Sequence, residues 1–149
     1  MAITAQMVKE LRESTGAGMM DCKKALQESE GNMERAVDIL REKGLSKAAK
    51  KADRIAAEGL VAIEINEDNT VASMVEVNSE TDFASRNDKF KELVANITQS
   101  VLTTSTVDKT KIDDMVKQAV ATIGENMVFR RSEKYTTTGD GLVHTYVHG

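Results

Sequence analysis

Residues 61–77 read Val-Ala-Ile-Glu-Ile-Asn-Glu-Asp-Asn-Thr-Val-Ala-Ser-Met-Val-Glu-Val, and this stretch decides the fold class. Val61, Ile63 and Ile65 alternate with Ala62, Glu64 and Asn66. Val71, Val75 and Val77 alternate again after the polar turn Glu67-Asp68-Asn69-Thr70. Two runs of period 2 around a polar turn predict a β-hairpin. The residues before it have the period of helices, so the architecture changes here.

Downstream, Phe90, Leu93, Val94, Ile97 and Val101 fall at helical spacing, and Thr103–Thr106 breaks the run. Ile112, Met115, Val116, Ala119, Val120 and Ile123 repeat the signal, with Gly124 as the expected residue after the helix end. Two more strands are predicted near 126–135 and 142–148, around Thr138-Gly139-Asp140-Gly141. Leu142, His144, Tyr146 and His148 would then share a face. The order β-β-α-α-β-β predicts an α+β fold with two helices packed on one face of an antiparallel sheet.

Upstream, three short helices are expected. Met7, Val8 and Leu11 make a stripe after Thr4, a candidate N-cap, and Thr15-Gly16-Ala17-Gly18 stops it. Met19, Cys22, Ala25 and Leu26 mark a second helix over 19–29. Ala36, Val37, Ile39 and Leu40 mark a third, between Gly31-Asn32 and Gly44. The basic, Ala-rich segment 45–57 lacks Pro and Gly and reads as a helical connector. The expected organisation is a helical module with its connector over 1–54 and an α+β core over 55–149.

The composition narrows the function. A chain of 149 residues, 40% hydrophobic and 30% charged, fits one globular domain or two small ones. With 3% aromatic residues and no Trp, its core must be aliphatic. A formal net charge of −4 argues against direct nucleic-acid binding, which needs a basic surface. The charge is uneven: residues 1–57 hold 11 Lys+Arg against 9 Asp+Glu, and residues 58–149 hold 9 against 15. No apolar run approaches the ~18 residues that cross a bilayer, and the N-terminus lacks a signal-peptide pattern. A cytoplasmic location without membrane contact is expected. Cys22 is the only cysteine, which excludes an internal disulfide and a zinc cluster of cysteines.

Catalytic apparatus is not visible. The phosphate-loop motif is absent, and Gly16-Ala17-Gly18 lacks the third glycine and preceding strand of a dinucleotide fingerprint. His144 and His148 lie four apart on a predicted strand, where the i, i+4 metal geometry of a helix does not apply. A small metal-dependent enzyme using that pair is therefore a weak reading, with no carboxylate or cysteine companions at ligand spacing. Neither metal nor cofactor is expected, and Cys22 reads as a buried packing group.

Two features remain. Glu76-Val-Asn-Ser-Glu-Thr-Asp-Phe83 ends a strand and delivers Asp82 and Phe83 just before a helix. An exposed phenylalanine forfeits roughly 1.5–3 kcal/mol of burial energy, which suggests a partner that receives it. Met19 and Met20 are adjacent on a helix and point about 100° apart. One can pack inward while the other meets a partner, or both can close a small core.

Leu11-Arg-Glu-Ser-Thr-Gly-Ala-Gly-Met-Met-Asp-Cys-Lys-Lys-Ala-Leu26 resembles the N-terminal signature of the bacterial elongation factor Ts family. Residues 76–83 resemble its second signature. Ile123-Gly-Glu-Asn126 and Tyr146-Val-His-Gly149 are similar to two further landmarks in the same order. The resemblance spans essentially the whole chain. It implies a guanine-nucleotide exchange factor for elongation factor Tu, the GTPase that carries aminoacyl-tRNA. It implies no catalytic chemistry of the chain's own, and an N-terminal three-helix bundle of the ubiquitin-associated type.

The resemblance also assigns residues. Asp82 and Phe83 match the pair that enters the GTPase near its magnesium and phosphate site, Phe83 as a wedge and Asp82 orienting the loop. Arg12, Met19, Met20 and Lys23 match the N-terminal surface that presses a helix near the guanine pocket. Ile123, Gly124 and His148 match core residues facing the GTPase, although a helix cap alone accounts for Gly124. Family members continue past this His-Gly with another strand and a second half of the core, so a C-terminally shortened member is expected. Its oligomeric state is left open. The alternative is a ubiquitin-associated-type binding module whose truncated core binds the GTPase without efficient exchange.

Overall fold

The computed structural model describes residues 2–148. Three helices open the chain: α1 (Ala5–Thr15), α2 (Met19–Glu28) and α3 (Met33–Lys51). The Thr4 hydroxyl caps α1 by accepting the Met7 N–H at 3.2 Å. Gly16, at φ 71°, ends it in the left-handed conformation that glycine adopts without a steric penalty. Leu11, Cys22, Ala25, Leu26, Ala36, Ile39 and Leu40 form one buried apolar cluster across the three helices.

α3 differs from the sequence reading. A helix ending at Gly44 and a separate helical connector were expected, but one helix of 19 residues runs through Gly44 to Lys51. A mid-helix glycine costs about 1 kcal/mol relative to alanine, and packing explains it here. A Cβ at position 44 would lie 2.5 Å from the Gln118 Oε1 atom, so α3 passes close to a later helix here and Gln118 would have to shift for a larger residue. Residues 52–57 are not helical, and the chain then enters the sheet.

The sheet has three antiparallel strands in the order β1 (Glu58–Ile65), β2 (Val71–Ser79) and β3 (Met127–Thr136). Between β2 and β3 come the short α4 (Asp82–Ser85), then α5 (Asp88–Thr103) and α6 (Lys109–Ile123). In the hairpin register Leu60 faces Val77 and Ala62 faces Val75, which puts these four side chains on the helix-covered face. Val61 and Met74 lie on the opposite face and are exposed. Phe90, Leu93, Val94, Ile97 and Val101 of α5, with Ile112, Val116 and Val120 of α6, fill the second apolar cluster as their spacing predicted. Among the described residues, no helix is long and apolar enough to cross a membrane.

The predicted fourth strand is not formed. After β3 the Thr137 N–H bonds the Thr70 carbonyl, and the Val143 N–H bonds that of Asn69, both in the hairpin turn. Leu142, Tyr146 and Val147 stay exposed. Alternation alone does not make a strand, because strand preference reflects packing against neighbours, and the face of Leu142, His144, Tyr146 and His148 is exposed while only Val143 and Thr145 are partly covered. Gly149, at the end of the fourth landmark motif, lies outside the described residues.

Candidate protein-binding site

β2 leaves the sheet at Ser79, and two residues later Thr81 caps α4. Its hydroxyl oxygen accepts the Ala84 N–H at 3.3 Å, opening a turn whose inner residues Ala84 and Ser85 are buried. Phe83 points the other way and is 81% exposed. The Asp82 carboxylate pairs with Arg86 at 3.5 Å along the turn and is about half exposed. The turn thus displays one aromatic ring and one carboxylate at the end of a strand whose Val75 and Val77 are fully buried.

α6 ends beside this turn. Gly124, at φ 90°, is its left-handed cap and donates its N–H to the Val120 carbonyl. The Lys51 ammonium at the end of α3 donates to the Gly124 carbonyl at 3.1 Å. Ile123 is half-buried against the core. The next residue after the cap, Glu125, hydrogen-bonds Thr81, so Ile123 and Gly124 lie within a few residues of the anchor of the Asp82-Phe83 turn.

The N-terminal module reaches α6 through its first turn. A Cβ on Gly16 would lie 3.9 Å from the Thr122 methyl group, and α2 begins three residues after Gly16. Met19 and Met20 are 58% and 62% exposed, so neither methionine closes the small core. Arg12 and Lys23 are also exposed. Cys22 is buried among the three helices, and burial pushes its thiol pKa up, as expected of a packing group.

His148 lies after β3 in an exposed irregular segment that is bonded through the Val143 N–H to the Asn69 carbonyl. It contacts Tyr146, with Nδ1 3.4 Å from the hydroxyl. Among the described residues, no three His, Cys, Asp or Glu side chains are grouped as metal ligands would be.

Residues 80–149 match the model of the family described as Elongation factor TS. The chain is 61% identical to "Elongation factor Ts" of Clostridioides difficile (strain 630), covering 99% of this chain and 52% of that protein. It is 54% identical to "Elongation factor Ts" of Campylobacter fetus subsp. fetus (strain 82-40), over 99% of this chain and 45% of that one. The protein of that name from Helicobacter hepaticus is 54% identical over 98% of this chain and 44% of its own length. The chain belongs to the elongation factor Ts family. It spans about half the length of the curated relatives it matches.

In this elongation factor Ts family chain, sequence reasoning named the displayed residues and missed those that hold them. Glu80, Thr81 and Glu125 fall inside the signature stretches, which assign them no role. Asn126 is buried, and its side chain donates to the Arg54 carbonyl at 2.7 Å. The signal in the sequence was a carboxylate in each of two loops flanking the sheet. Their pairing depends on a contact across 44 residues, which no local pattern encodes.

Proposed function

We propose that this chain is a guanine-nucleotide exchange module of translation elongation that binds elongation factor Tu and promotes GDP release. Phe83 acts as the wedge toward the magnesium and phosphate site. Asp82 steadies the turn and offers its free carboxylate oxygen to the partner. Arg12, Met19, Met20 and Lys23 form a second contact surface, and Ile123 and Gly124 join the first. Residues 1–54 and 55–149 serve as the two units that carry these surfaces; each holds most of one apolar cluster, and Ala48 of α3 joins the second.

The observation that carries this reading is an aromatic ring 81% exposed on a turn whose inner residues Ala84 and Ser85 are buried. Such a ring gains roughly 1.5–3 kcal/mol when a partner buries it. An exchange factor works because it binds the nucleotide-free GTPase better than the nucleotide-bound form, and that coupling is reciprocal. Loosening nucleotide a thousandfold requires about 4 kcal/mol. Phe83 supplies less than that, so the methionine surface is needed as well.

The test is release of fluorescent GDP from elongation factor Tu with and without this chain. Acceleration at catalytic concentration is the expected result. Binding without acceleration would select the second reading, a docking module without exchange. Neither binding nor acceleration would overturn both.

A further inference from the structure

Two loops reach for each other at the base of the Phe83 turn. The Glu125 carboxylate accepts the Thr81 N–H at 3.1 Å and the Thr81 hydroxyl at 2.6 Å. In return, the Glu80 carboxylate accepts the Asn126 N–H at 2.7 Å. Each carboxylate therefore satisfies a backbone donor of the opposite loop. The remaining polar groups of Thr81 are also engaged. Its carbonyl accepts the Ser79 hydroxyl at 2.9 Å and the Ser85 N–H at 3.3 Å, and its hydroxyl oxygen accepts from Ala84.

The clasp extends to the N-terminal module. The Arg54 guanidinium lies 3.5 Å from the Glu80 carboxylate, and the Arg54 carbonyl accepts from the Asn126 side chain. Lys51 reaches the Gly124 carbonyl one residue before Glu125. The end of α3, the loop before α4 and the loop after α6 thus meet at one place. The Phe83 ring is itself exposed, so its direction depends on the backbone beneath. Hydrogen bonds to a carboxylate are stronger than neutral ones, and a group ordered before binding loses less freedom when it docks.

We propose that Glu125, assisted by Glu80, is a positioning residue for Phe83. It orders the wedge before the GTPase arrives and ties its direction to the end of α3. This inference rests on the exchange reading, but one arm of its test does not need the partner. In the free chain, Glu125→Ala is expected to lower the backbone order parameter of the Phe83 amide from about 0.85 to below about 0.6. With elongation factor Tu, the same variant is expected to slow accelerated GDP release by about tenfold.

Placed in a Phe83→Ala background, Glu125→Ala should add less than about twofold, because it acts through the missing ring. Glu125→Gln keeps one carbonyl acceptor and gains donors that Thr81 can accept, so it recovers most of the loss. Melting is followed for every variant. Should Glu125→Ala not fold, Glu125→Asp draws the carboxylate back from Thr81 by one methylene, leaves the Thr81 cap in place, and substitutes for that variant in each arm. An unchanged order parameter, or a full tenfold loss repeated without Phe83, would overturn the positioning role. If the unaltered chain fails to accelerate release while the order parameter still falls, the exchange reading is lost and the ordering role stands.

Discussion

Phe83 and the Met19-Met20 pair are exposed apolar surfaces held in opposite ways. Phe83 sits on a turn whose capping residue, Thr81, has its amide, carbonyl and hydroxyl all bonded within the protein. Beneath it lies the larger of the two apolar clusters. Met19 and Met20 begin a helix whose cap is Gly18, with no side-chain hydrogen bond at that end. The cluster beneath them is the smaller one, gathered around Leu11, Cys22 and Leu26. A stiff ring on a fixed base suits entry into a narrow site. Flexible thioether side chains on a loosely capped helix suit a surface that must adapt.

The largest expected effect separates two phenylalanines seven positions apart. Phe90 is fully buried on α5, and Phe83 is 81% exposed. Phe90→Ala should cost about 3–5 kcal/mol of stability through lost burial and a residual cavity. Phe83→Ala should leave the melting transition near its original value. Denaturant unfolding of both variants checks this contrast. In accelerated GDP release the order is reversed. Phe83→Ala should lose about ten- to a hundredfold, the equivalent of one buried aromatic ring. Unchanged release by that variant would remove the wedge from the mechanism.

A smaller effect is expected at the adaptable surface. Met19→Ala with Met20→Ala should weaken association with elongation factor Tu by about tenfold, about 1.4 kcal/mol for the pair. Single substitutions should each lose less than half of that, since a neighbouring methionine can shift to fill the space. Calorimetric titration distinguishes this from the Phe83 result, in which release suffers more than binding. A double substitution that leaves affinity unaltered would confine recognition to the core side. The comparison between stiff and adaptable surfaces would then fail.

How much of this was legible depended on the range of the interaction. Local periodicity located α5 and α6 residue by residue, because the buried Phe90, Leu93, Val94, Ile97 and Val101 repeat at the helical interval. Thr4 and Gly16 were readable as caps for the same local reason. The continuation of α3 through Gly44 was not, because its partners lie far along the chain on α6, where Asp114 pairs with Arg41 and Gln118 donates to the Arg41 carbonyl. The fourth strand failed because alternation at Leu142, His144, Tyr146 and His148 describes a strand only where a neighbour pairs with it. At the candidate site Phe83 stood out as an aromatic at a strand–helix junction and Met19-Met20 as adjacent methionines, both in signature stretches. Glu125 and Glu80 did not, because a carboxylate looks like solvated surface until the loop it bonds is in view.

The smallest expected effect concerns pH and falls on the adaptable side. Asp21, in the first turn of α2, accepts from the Lys47 ammonium of α3 at 2.9 Å. This hydrogen bond, aided by the charges of Lys47, Lys43 and Lys24, holds the Asp21 carboxyl pKa below its ordinary 3.8 despite partial burial. A pKa lowered on folding means the unfolded chain binds the proton more tightly. The stabilisation is therefore complete above the unfolded value and is lost as pH falls through the lower folded value. Both side chains are more than a third exposed, at 46% for Lys47 and 37% for Asp21, so screening keeps the pair below about 1 kcal/mol. Asp21→Asn should accordingly melt slightly below the unaltered chain at pH 7, and the gap should close as pH falls below 3.8 through the lowered folded value. The same gap should narrow in high salt at pH 7, since the pair joins two exposed helix surfaces. A difference that persists unchanged in acid would mean that Asp21 supports α2 through its helix-end position or packing rather than through Lys47. The hold on the methionine-bearing helix would then be independent of α3.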